Sequence, residues 1–544
     1  MSRLRTSSTV LVGWDGATFS VLEPLMRDGT MPFLARFAAE GARGVLHSTV
    51  HPLTPAAWTS LMTGVSPGEH GVFDFVKVDR REDRYTYVLS TSGDVRSETV
   101  WSIAGRHGCR VTCLNFPSMF PPPPIPGFVV PGFVPWQYLP RAIQPSSLYP
   151  RIRALPGFEA RALALDWDLE RKALQGLPEE QYESWIRFHT LREQHWFEIL
   201  RMLMCEDPCQ LTAVLFDGVD KLQHLCYHLL DPRQNERFDS PWADNIRRQC
   251  REYFRQLDEF LESVTTLAGS DARIFIASDH GFTSAGNDIF YANVWLEQNG
   301  YLRWADGVPL DQDRRLTLDG HSGSDTMFDW TATKAFALTA SSNGIYIRKA
   351  EKPGPGVPES EYESFRTGLA DALLALTDSS GEPVLQEVLF REQAFPGKRM
   401  LDAPDLVLVL RDRSFLSVLR ADAPLKSRVA PYGTHHPEGV FLARGPGIRA
   451  GAEIPAAPIV SVAPTLLYSL GIPIPEDMEG KVNVGAFERS FVAANPVCKE
   501  ARTEVHEGAA AASAAQYQPA ALLTREMGEE EAVIERLKAL GYLE

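Results

Sequence analysis

Short runs of apolar, often β-branched residues recur along the chain and alternate with stretches of helical periodicity. Met31 to Glu40 is one such stretch, because its apolar side chains fall on one helical face. Short continuous apolar runs are typical of strands that are buried on both faces. The pattern predicts an α/β fold with a largely parallel sheet between layers of helices. The predicted strands are Thr9 to Trp14, Gly44 to Val50, Arg110 to Leu114, Leu211 to Phe216, Arg273 to Ala277, Leu406 to Leu410 and Val440 to Ala443.

Segments of different composition interrupt the predicted core. Residues 1–135 and 205–490 carry the strand patterns, whereas 136–204 shows helical patterns and many aromatic residues, which predicts a helical insertion near the site. A stretch at about 289–329, partly rich in glycine and serine, is predicted to be a loop-rich insertion. The last segment, 491–544, begins Ala-rich and ends in an amphipathic pattern. We interpret it as a linker and a C-terminal helix, which is a candidate contact for a homo-oligomer.

Composition narrows the class of protein and its partners. The chain has 544 residues, 70 acidic and 54 basic, and its formal net charge of −16 gives no general attraction to nucleic-acid polymers or anionic lipid. No apolar run approaches the length of a membrane span, and the N-terminus carries no signal pattern. The seven cysteines are scattered and odd in number, which is typical of reduced thiols. These features predict a cytoplasmic protein that acts on a small molecule.

Polar side chains directly follow two of the predicted strands. Asp15 lies at the end of VLVGWDG, where Gly16 lets the chain turn and expose the carboxylate. Asp279 and His280 end the apolar strand in RIFIASDHGF, and Gly281 follows them. Loops at the carboxyl ends of parallel strands converge on one edge of a sheet. We therefore expect these three side chains to lie close together.

Two further segments offer metal ligands. In FDGVDKLQH, Asp220 and His224 are spaced so that on a helix both side chains point the same way and can hold one ion, with Asp217 as a competing ligand. In PYGTHHPEGV, His435 is the candidate ligand and His436 the alternative. Carboxylates and imidazoles from four such loops are the donors that two divalent ions require. Zinc is favoured, and manganese or iron would also be accepted.

Hydroxyl side chains in one segment are candidate nucleophiles. Two divalent ions can clamp the attacking and leaving oxygens of a phosphoryl transfer, and HPLTPAAWTSLMTG offers Thr54, Thr59, Ser60 and Thr63 as attacking groups. Thr54 precedes Pro55, a favoured first helical residue, so we expect it at a helix N-terminus, where N–H groups favour anions. A metal that contacts this hydroxyl would lower its pKa. A plain helix cap accounts for the same residue equally well.

The order and spacing of these segments resemble the type I phosphodiesterase/nucleotide pyrophosphatase family of the alkaline phosphatase superfamily. The resemblance covers most of Val10 to Gly480 and is carried by VGWDG, TPAAWTSLMTGVSPGEHGV, DKLQH, SDHGF and GTHHPEGV. It implies an alkaline-phosphatase-like three-layer sandwich and a metal-dependent hydrolase of phosphate esters. It also implies that Thr54 is a nucleophile that becomes phosphorylated and contacts one metal. That metal would be held by Asp15, Asp279 and His280, and a second by Asp220, His224 and His435.

One position departs from the family pattern. Nucleotide pyrophosphatases of the family carry an asparagine after the HG motif that donates to a phosphate oxygen, whereas HGVFDF offers Asp74 and Phe75. A carboxylate there would repel the substrate or need a cation partner. Lys77 and His321 are candidate replacements, and both are equally typical of solvated side chains. Nucleotide specificity therefore does not follow from the resemblance.

Other activities use the same set of ligands. Phosphomonoester hydrolysis, phosphonate hydrolysis and phosphoryl transfer as in cofactor-independent phosphoglycerate mutase all remain alternatives to phosphodiester hydrolysis. A formylglycine sulfatase is disfavoured, because that chemistry needs a cysteine or serine where this chain has Thr54. A metal-binding interaction protein without catalysis is disfavoured as well, because the full ligand set and a hydroxyl are present.

Overall fold

The computed structural model describes residues 8–501 except 82–83, 135–137, 164–176, 234–237, 309, 311–326, 351–353 and 429–430. The predicted C-terminal helix, the Gly/Ser-rich part of the second insertion and His321 lie outside the described residues. Within the described ranges, every helix is too short or too polar to cross a membrane. The division into a core and insertions stays a prediction.

Strands and helices alternate along much of the chain. In chain order the strands are β1 (Thr9–Trp14), β2 (Ala42–His47), β3 (Val76–Arg81), β4 (Arg84–Leu89), β5 (Val111–Leu114), β6 (Gly127–Val130), β7 (Leu211–Phe216), β8 (Arg273–Ala277), β9 (Gly281–Ser284), β10 (Asp288–Phe290), β11 (Ala335–Phe336), β12 (Gly344–Ile347), β13 (Leu385–Phe390), β14 (Leu406–Leu410), β15 (Leu425–Ser427), β16 (Gly433–His436), β17 (Glu438–Arg444), β18 (Ala452–Glu453), β19 (Ala457–Pro458), β20 (Ile474–Pro475) and β21 (Lys499–Glu500). The α-helices are α1 (Phe19–Arg27), α2 (Pro32–Ala39), α3 (Thr54–Thr63), α4 (Pro67–His70), α5 (Val100–Arg106), α6 (Leu139–Ala142), α7 (Leu148–Arg153), α8 (Ala160–Leu163), α9 (Tyr182–Glu206), α10 (Gly218–Leu230), α11 (Pro241–Ala268), α12 (Ala292–Gln298), α13 (Tyr362–Leu374), α14 (Arg391–Ala394), α15 (Val462–Ser469) and α16 (Arg489–Ala494).

The central sheet has the strand order β18-β2-β17-β8-β1-β7-β5-β6, and β19 also pairs with β2. At its middle, Thr9 of β1 is level with Leu211 of β7 and with Arg273 of β8, and all three strands are parallel. In this sheet β17 is antiparallel to both of its neighbours, β2 and β8, whereas the other described pairings are parallel. The predicted largely parallel sheet is confirmed, and the carboxyl ends of β1, β7 and β8 share one edge.

Helices cover both faces of this sheet. Successive side chains of each strand point to opposite faces, so apolar residues of one strand enter two different cores. Val10 and Val12 of β1 pack into a core with α1, α2 and α9 to α11, whereas Leu11 packs into a second core with α3, α5 and α15. Both cores are built from fully buried apolar side chains. The predicted three-layer arrangement is confirmed.

Two details differ from the strand pattern read from the sequence. β14 belongs to a separate antiparallel sheet of order β11-β12-β14-β13, not to the central parallel sheet. Its side chains are largely buried, so its apolar run has the same pattern as a central strand. β6 at the edge of the central sheet was not predicted, and it begins at Gly127, the last residue of the proline-rich run Pro121–Gly127.

Candidate metal centre

Seven side chains meet at the carboxyl edge of the central sheet. Asp15 follows β1, and Asp279 and His280 follow the adjacent β8, so two paired strands bring these three residues together. All seven are buried except His224, whose side chain is 12% exposed. The other members come from α3, α10 and β16: Thr54, Asp220, His224 and His435.

The first cluster consists of Asp15, Asp279, His280 and Thr54. His280 Nε2 lies 3.2 Å from Asp279 Oδ2, 3.5 Å from Asp15 Oδ1 and 3.4 Å from Thr54 Oγ1. Ligand atoms that surround one tetrahedral ion at its usual bond length lie roughly 3.3–3.4 Å apart. The spacing of these atoms therefore suits a single divalent ion.

The second cluster consists of Asp220, His224 and His435. Asp220 Oδ1 lies 3.3 Å from His224 Nε2 and 3.2 Å from His435 Nε2, and the two Nε2 atoms are 3.2 Å apart. His280 also falls within 4.8 Å of Asp220 and His435, but its distances to the first cluster are shorter, so we assign it there. The rings of His280 and His435 stack with centroids 3.6 Å apart, which makes the two clusters direct neighbours.

Backbone carbonyls fix the orientation of all three imidazoles. The Nδ1–H groups of His224, His280 and His435 donate to the carbonyls of Gly433, Gly281 and Pro52 at 2.9, 3.0 and 2.7 Å. In a neutral ring with this hydrogen bond, Nε2 carries a lone pair, and each Nε2 points into a cluster. The Nε2 atoms of His224 and His435 lie 3.2 Å apart, a spacing that suits two ligands of one cation.

The carboxylates of the clusters also fit a cation. Asp15 Oδ1, Asp220 Oδ1 and Asp279 Oδ2 are buried and have no hydrogen-bond partner among the described residues. Burial and the charges of Asp279 and Asp220 raise the pKa of Asp15 well above its usual range, and burial likewise raises that of Asp279. Burial and the nearby His435 lower the pKa of His280. Divalent ions would compensate these crowded charges, so the donor set fits metal binding.

Hydrogen bonds distinguish Thr54 from the other hydroxyl side chains of α3. Thr59 and Thr63 donate to backbone carbonyls four residues earlier, at 2.6 and 2.7 Å. Ser60 Oγ is bonded to His70 Nε2 at 2.9 Å. Thr54 is the first residue of α3, and its hydroxyl faces the first cluster instead. Of the four candidate nucleophiles, Thr54 is therefore the one beside the metal ligands.

The two alternative ligands make other contacts. Asp217 Oδ1 is paired with the buried guanidinium of Arg192 and accepts from Asn115 Nδ2 at 2.9 Å. His436 follows His435 in β16, and its Nδ1 accepts the backbone N–H of Glu438 at 3.2 Å. The described polar contacts of both side chains are thus with groups outside the two clusters, although Asp217 is near enough for its charge to add to the effect of burial in raising the pKa of Asp15.

Asp74, the departure from the family pattern, is satisfied by neutral donors. Its carboxylate accepts hydroxyl protons from Thr339 at 2.5 Å and Ser341 at 2.9 and 3.0 Å, and the Phe75 N–H at 2.6 Å. Burial raises the pKa of Asp74 to about 6 despite these bonds. Hydroxyl and N–H donors, and not the expected cation, are thus the described partners of this carboxylate. Lys77 pairs with Asp94 instead of facing the clusters.

Supporting residues around the clusters were not singled out from the sequence. Trp58 Nε1 donates to Asp15 Oδ2 at 3.4 Å, and Gln223 Nε2 donates to the carbonyl of Gly16 at 2.7 Å. Trp58 lies one helical turn after Thr54, and Gln223 precedes His224 in DKLQH. Neither residue is a candidate metal ligand by type, and each contacts the site through Asp15 or Gly16, so little in the sequence favours selecting them.

Comparison with known proteins identifies the class and then the family. The sequence model described as type I phosphodiesterase / nucleotide pyrophosphatase matches residues 9–438. The protein is thus a phosphoric ester hydrolase by class. It belongs to the type I phosphodiesterase/nucleotide pyrophosphatase family, as its motifs predicted. A comparison with curated protein sequences finds no match.

Two solved structures are similar to this chain. Phosphonoacetate hydrolase from Sinorhizobium meliloti in complex with phosphonoacetate is 16% identical, with a TM-score of 0.51 over 86% of this chain and 95% of that chain. Murine ectonucleotide pyrophosphatase / phosphodiesterase 5 is 14% identical, with a TM-score of 0.49 over 86% and 95% of the two chains. The first of these similarities supports the alkaline-phosphatase-like fold.

Proposed function

We propose that the protein hydrolyses small-molecule phosphodiesters with two divalent ions, most favourably zinc, and with Thr54 as a nucleophile. The observation that carries this proposal is the position of the Thr54 hydroxyl, 3.4 Å from His280 Nε2 and at the start of α3. Asp15, Asp279 and His280 would hold the ion beside Thr54. The second would be held by Asp220, His224 and His435.

When bound, the ions supply Lewis-acid chemistry that lowers the pKa of a coordinated hydroxyl and balances charge on phosphate oxygens. The Thr54 oxygen attacks phosphorus and gives up its proton to solvent, while the bond to the leaving ester oxygen breaks and that oxygen takes up a proton. The products are an alcohol and a phosphothreonine that still carries the second ester group. Water then attacks the same phosphorus and releases Thr54 and a phosphomonoester. Two inversions retain the configuration at phosphorus.

The backbone at the start of α3 contributes to anion binding. N–H groups in the first turn of a helix can bind anions, but Pro55 has no N–H and the Ala57 N–H donates to the Leu53 carbonyl. Thr54 and Ala56 carry the other N–H groups of the first turn and, with the helix dipole, are the candidate anion donors. This backbone can take over part of the role of the asparagine that Asp74 replaces.

Two substrates separate the proposed reaction from its alternatives. We expect zinc-loaded protein to show a higher kcat/KM for an aryl phosphodiester than for the matching monoester, and chelated protein to be inactive. A monoester preference would contradict the diesterase proposal. Turnover of a phosphonate such as phosphonoacetate, named for the Sinorhizobium meliloti enzyme, would favour phosphonate hydrolysis.

Replacing the nucleophile tests the covalent mechanism. Thr54→Ala removes the attacking oxygen, so we expect kcat to fall at least about a thousand-fold while bound metal, measured by mass spectrometry, stays at the wild-type level. The matched control is Thr59→Ala, since Thr59 lies on the same helix and its hydroxyl donates to the Pro55 carbonyl. Near-normal turnover in Thr54→Ala would remove Thr54 from the mechanism.

A further inference from the structure

Gln223 is a buried side chain that lies on the helix of one cluster and contacts the backbone of the other. It sits on α10 between Asp220 and His224 and is 0% exposed. Its Nε2 donates to the carbonyl of Gly16 at 2.7 Å. Gly16 directly follows Asp15, so this hydrogen bond crosses from the second cluster to the first.

Gly16 is in turn hydrogen-bonded to Asp279, a ligand of the first cluster. Its N–H donates to Asp279 Oδ1 at 3.1 Å, which leaves Asp279 Oδ2 directed at His280 Nε2. Gly16 has φ of +67°, and a Cβ there would lie 2.9 Å from the ring of Phe282. The turn after β1 therefore accepts no other residue without strain, and hydrogen bonds hold both its N–H and its carbonyl.

We propose that Gln223 is a positioning residue that couples the two clusters, an inference that rests on the proposed two-ion function. Through Gly16 it sets the orientation of Asp279, so a residue on the helix of the second cluster controls the affinity of the first. An amide suits this position because the acceptor is a carbonyl and a buried charge would be costly. Gln223 Oε1 has no hydrogen-bond partner among the described residues, so the donated bond is its described polar contact.

The test isolates the first cluster from the second. In a background that carries both Asp220→Ala and His224→Ala, which removes two of the three ligands of the second cluster, zinc affinity of the full chain is measured in competition with a chelator of known affinity. We expect Gln223→Met, which keeps the size and removes the donor, to lower the first-cluster affinity about ten-fold, as is typical for residues that orient metal ligands. Gln223→Leu, which also removes the donor, should act in the same direction.

A control variant tests for a general effect of losing a side-chain amide that donates to a backbone carbonyl. Gln256 of α11, a half-buried side chain, donates to the Thr190 carbonyl at 3.1 Å, and Gln256→Met should leave zinc affinity unchanged. Thermal unfolding of each metal-free variant checks that it is folded. An unchanged first-cluster affinity in both Gln223 variants would overturn the coupling alone. Wild-type protein that binds fewer than two zinc ions would overturn the two-ion function and the coupling with it.

Discussion

Asp74 is buried, and burial makes its negative charge costly even though hydroxyl groups donate to it. The pKa of Asp74 is raised from 3.8 to about 6 because burial disfavours the carboxylate more than its donors favour it. In the unfolded chain the group ionises near 3.8, so between these values the folded state binds more protons. The contribution of Asp74 to stability is therefore full below pH 3.8 and is lost as the pH rises through about 6.

Asp74→Asn should remove this pH dependence. Between pH 3 and pH 7 we expect the free energy of unfolding of wild-type protein to fall, relative to that of the variant, by about 3 kcal/mol, since each pKa unit corresponds to about 1.4 kcal/mol. Urea unfolding of both proteins at several pH values measures the difference. A difference that does not vary with pH would show that Asp74 has an ordinary pKa.

Individual residues differ in how far the sequence defines them. Ligands such as Asp279 stand out because a polar residue interrupts an apolar run. The preference for Thr54 over Thr59 came from the following Pro55 and from the family resemblance, and the structure adds that the two hydroxyls have different hydrogen-bond partners. Gln223 gave no signal, since its partner Gly16 is distant in sequence and only the fold brings the two together.

At the level of elements, α2 lacks a capping side chain of its own and takes one from another helix. Met31 precedes α2 and provides no side-chain cap. Asp258 of α11 accepts the N–H groups of Phe33 and Leu34 at 2.8 and 2.7 Å. The negative charge of this carboxylate also interacts favourably with the positive end of the helix dipole. It therefore ties α2 to α11 within one layer of the fold.

Asp258→Ala should lower the free energy of unfolding by about 2 kcal/mol, because two buried N–H groups lose a charged acceptor. Glu262→Ala on the same helix is the control. Glu262 pairs with Arg36 of α2 at the surface, with side chains 53% and 60% exposed, so its loss should cost less than about 1 kcal/mol. Urea unfolding compares the variants, and equal effects would show that the cap adds nothing beyond a surface ion pair.

The elements themselves were predicted unevenly. β1, β7 and β8 are apolar runs bounded by polar residues, and each was found at its predicted position. β14 was assigned to the wrong sheet because an apolar run shows burial but not the partner strand. Pairing depends on contacts that are distant in sequence, which local periodicity does not encode.

For the whole molecule, metal binding and folding are linked, because the two clusters exist only in the folded chain. Ions that bind the folded state stabilise it, by about 1.4 kcal/mol per site for each ten-fold rise in free ion above Kd. We expect chelator to lower Tm and zinc to raise it in a concentration-dependent way, measured by circular dichroism. A Tm that is the same with chelator and with zinc would contradict metal binding at these clusters.

The position of the antiparallel strand β17 late in the chain affects when the ligands of the site come together during synthesis. β17 lies between β2 and β8, so it joins the edge of the sheet that holds β2 to the half that holds β1. His435 lies in β16, just before β17, and reaches the clusters with it. During synthesis, the ligands on β1, α10 and β8 are present before the strand that closes the sheet. The full ligand set of the second cluster is therefore present only once the chain has been made as far as β16, next to the strand that joins the two halves of the sheet.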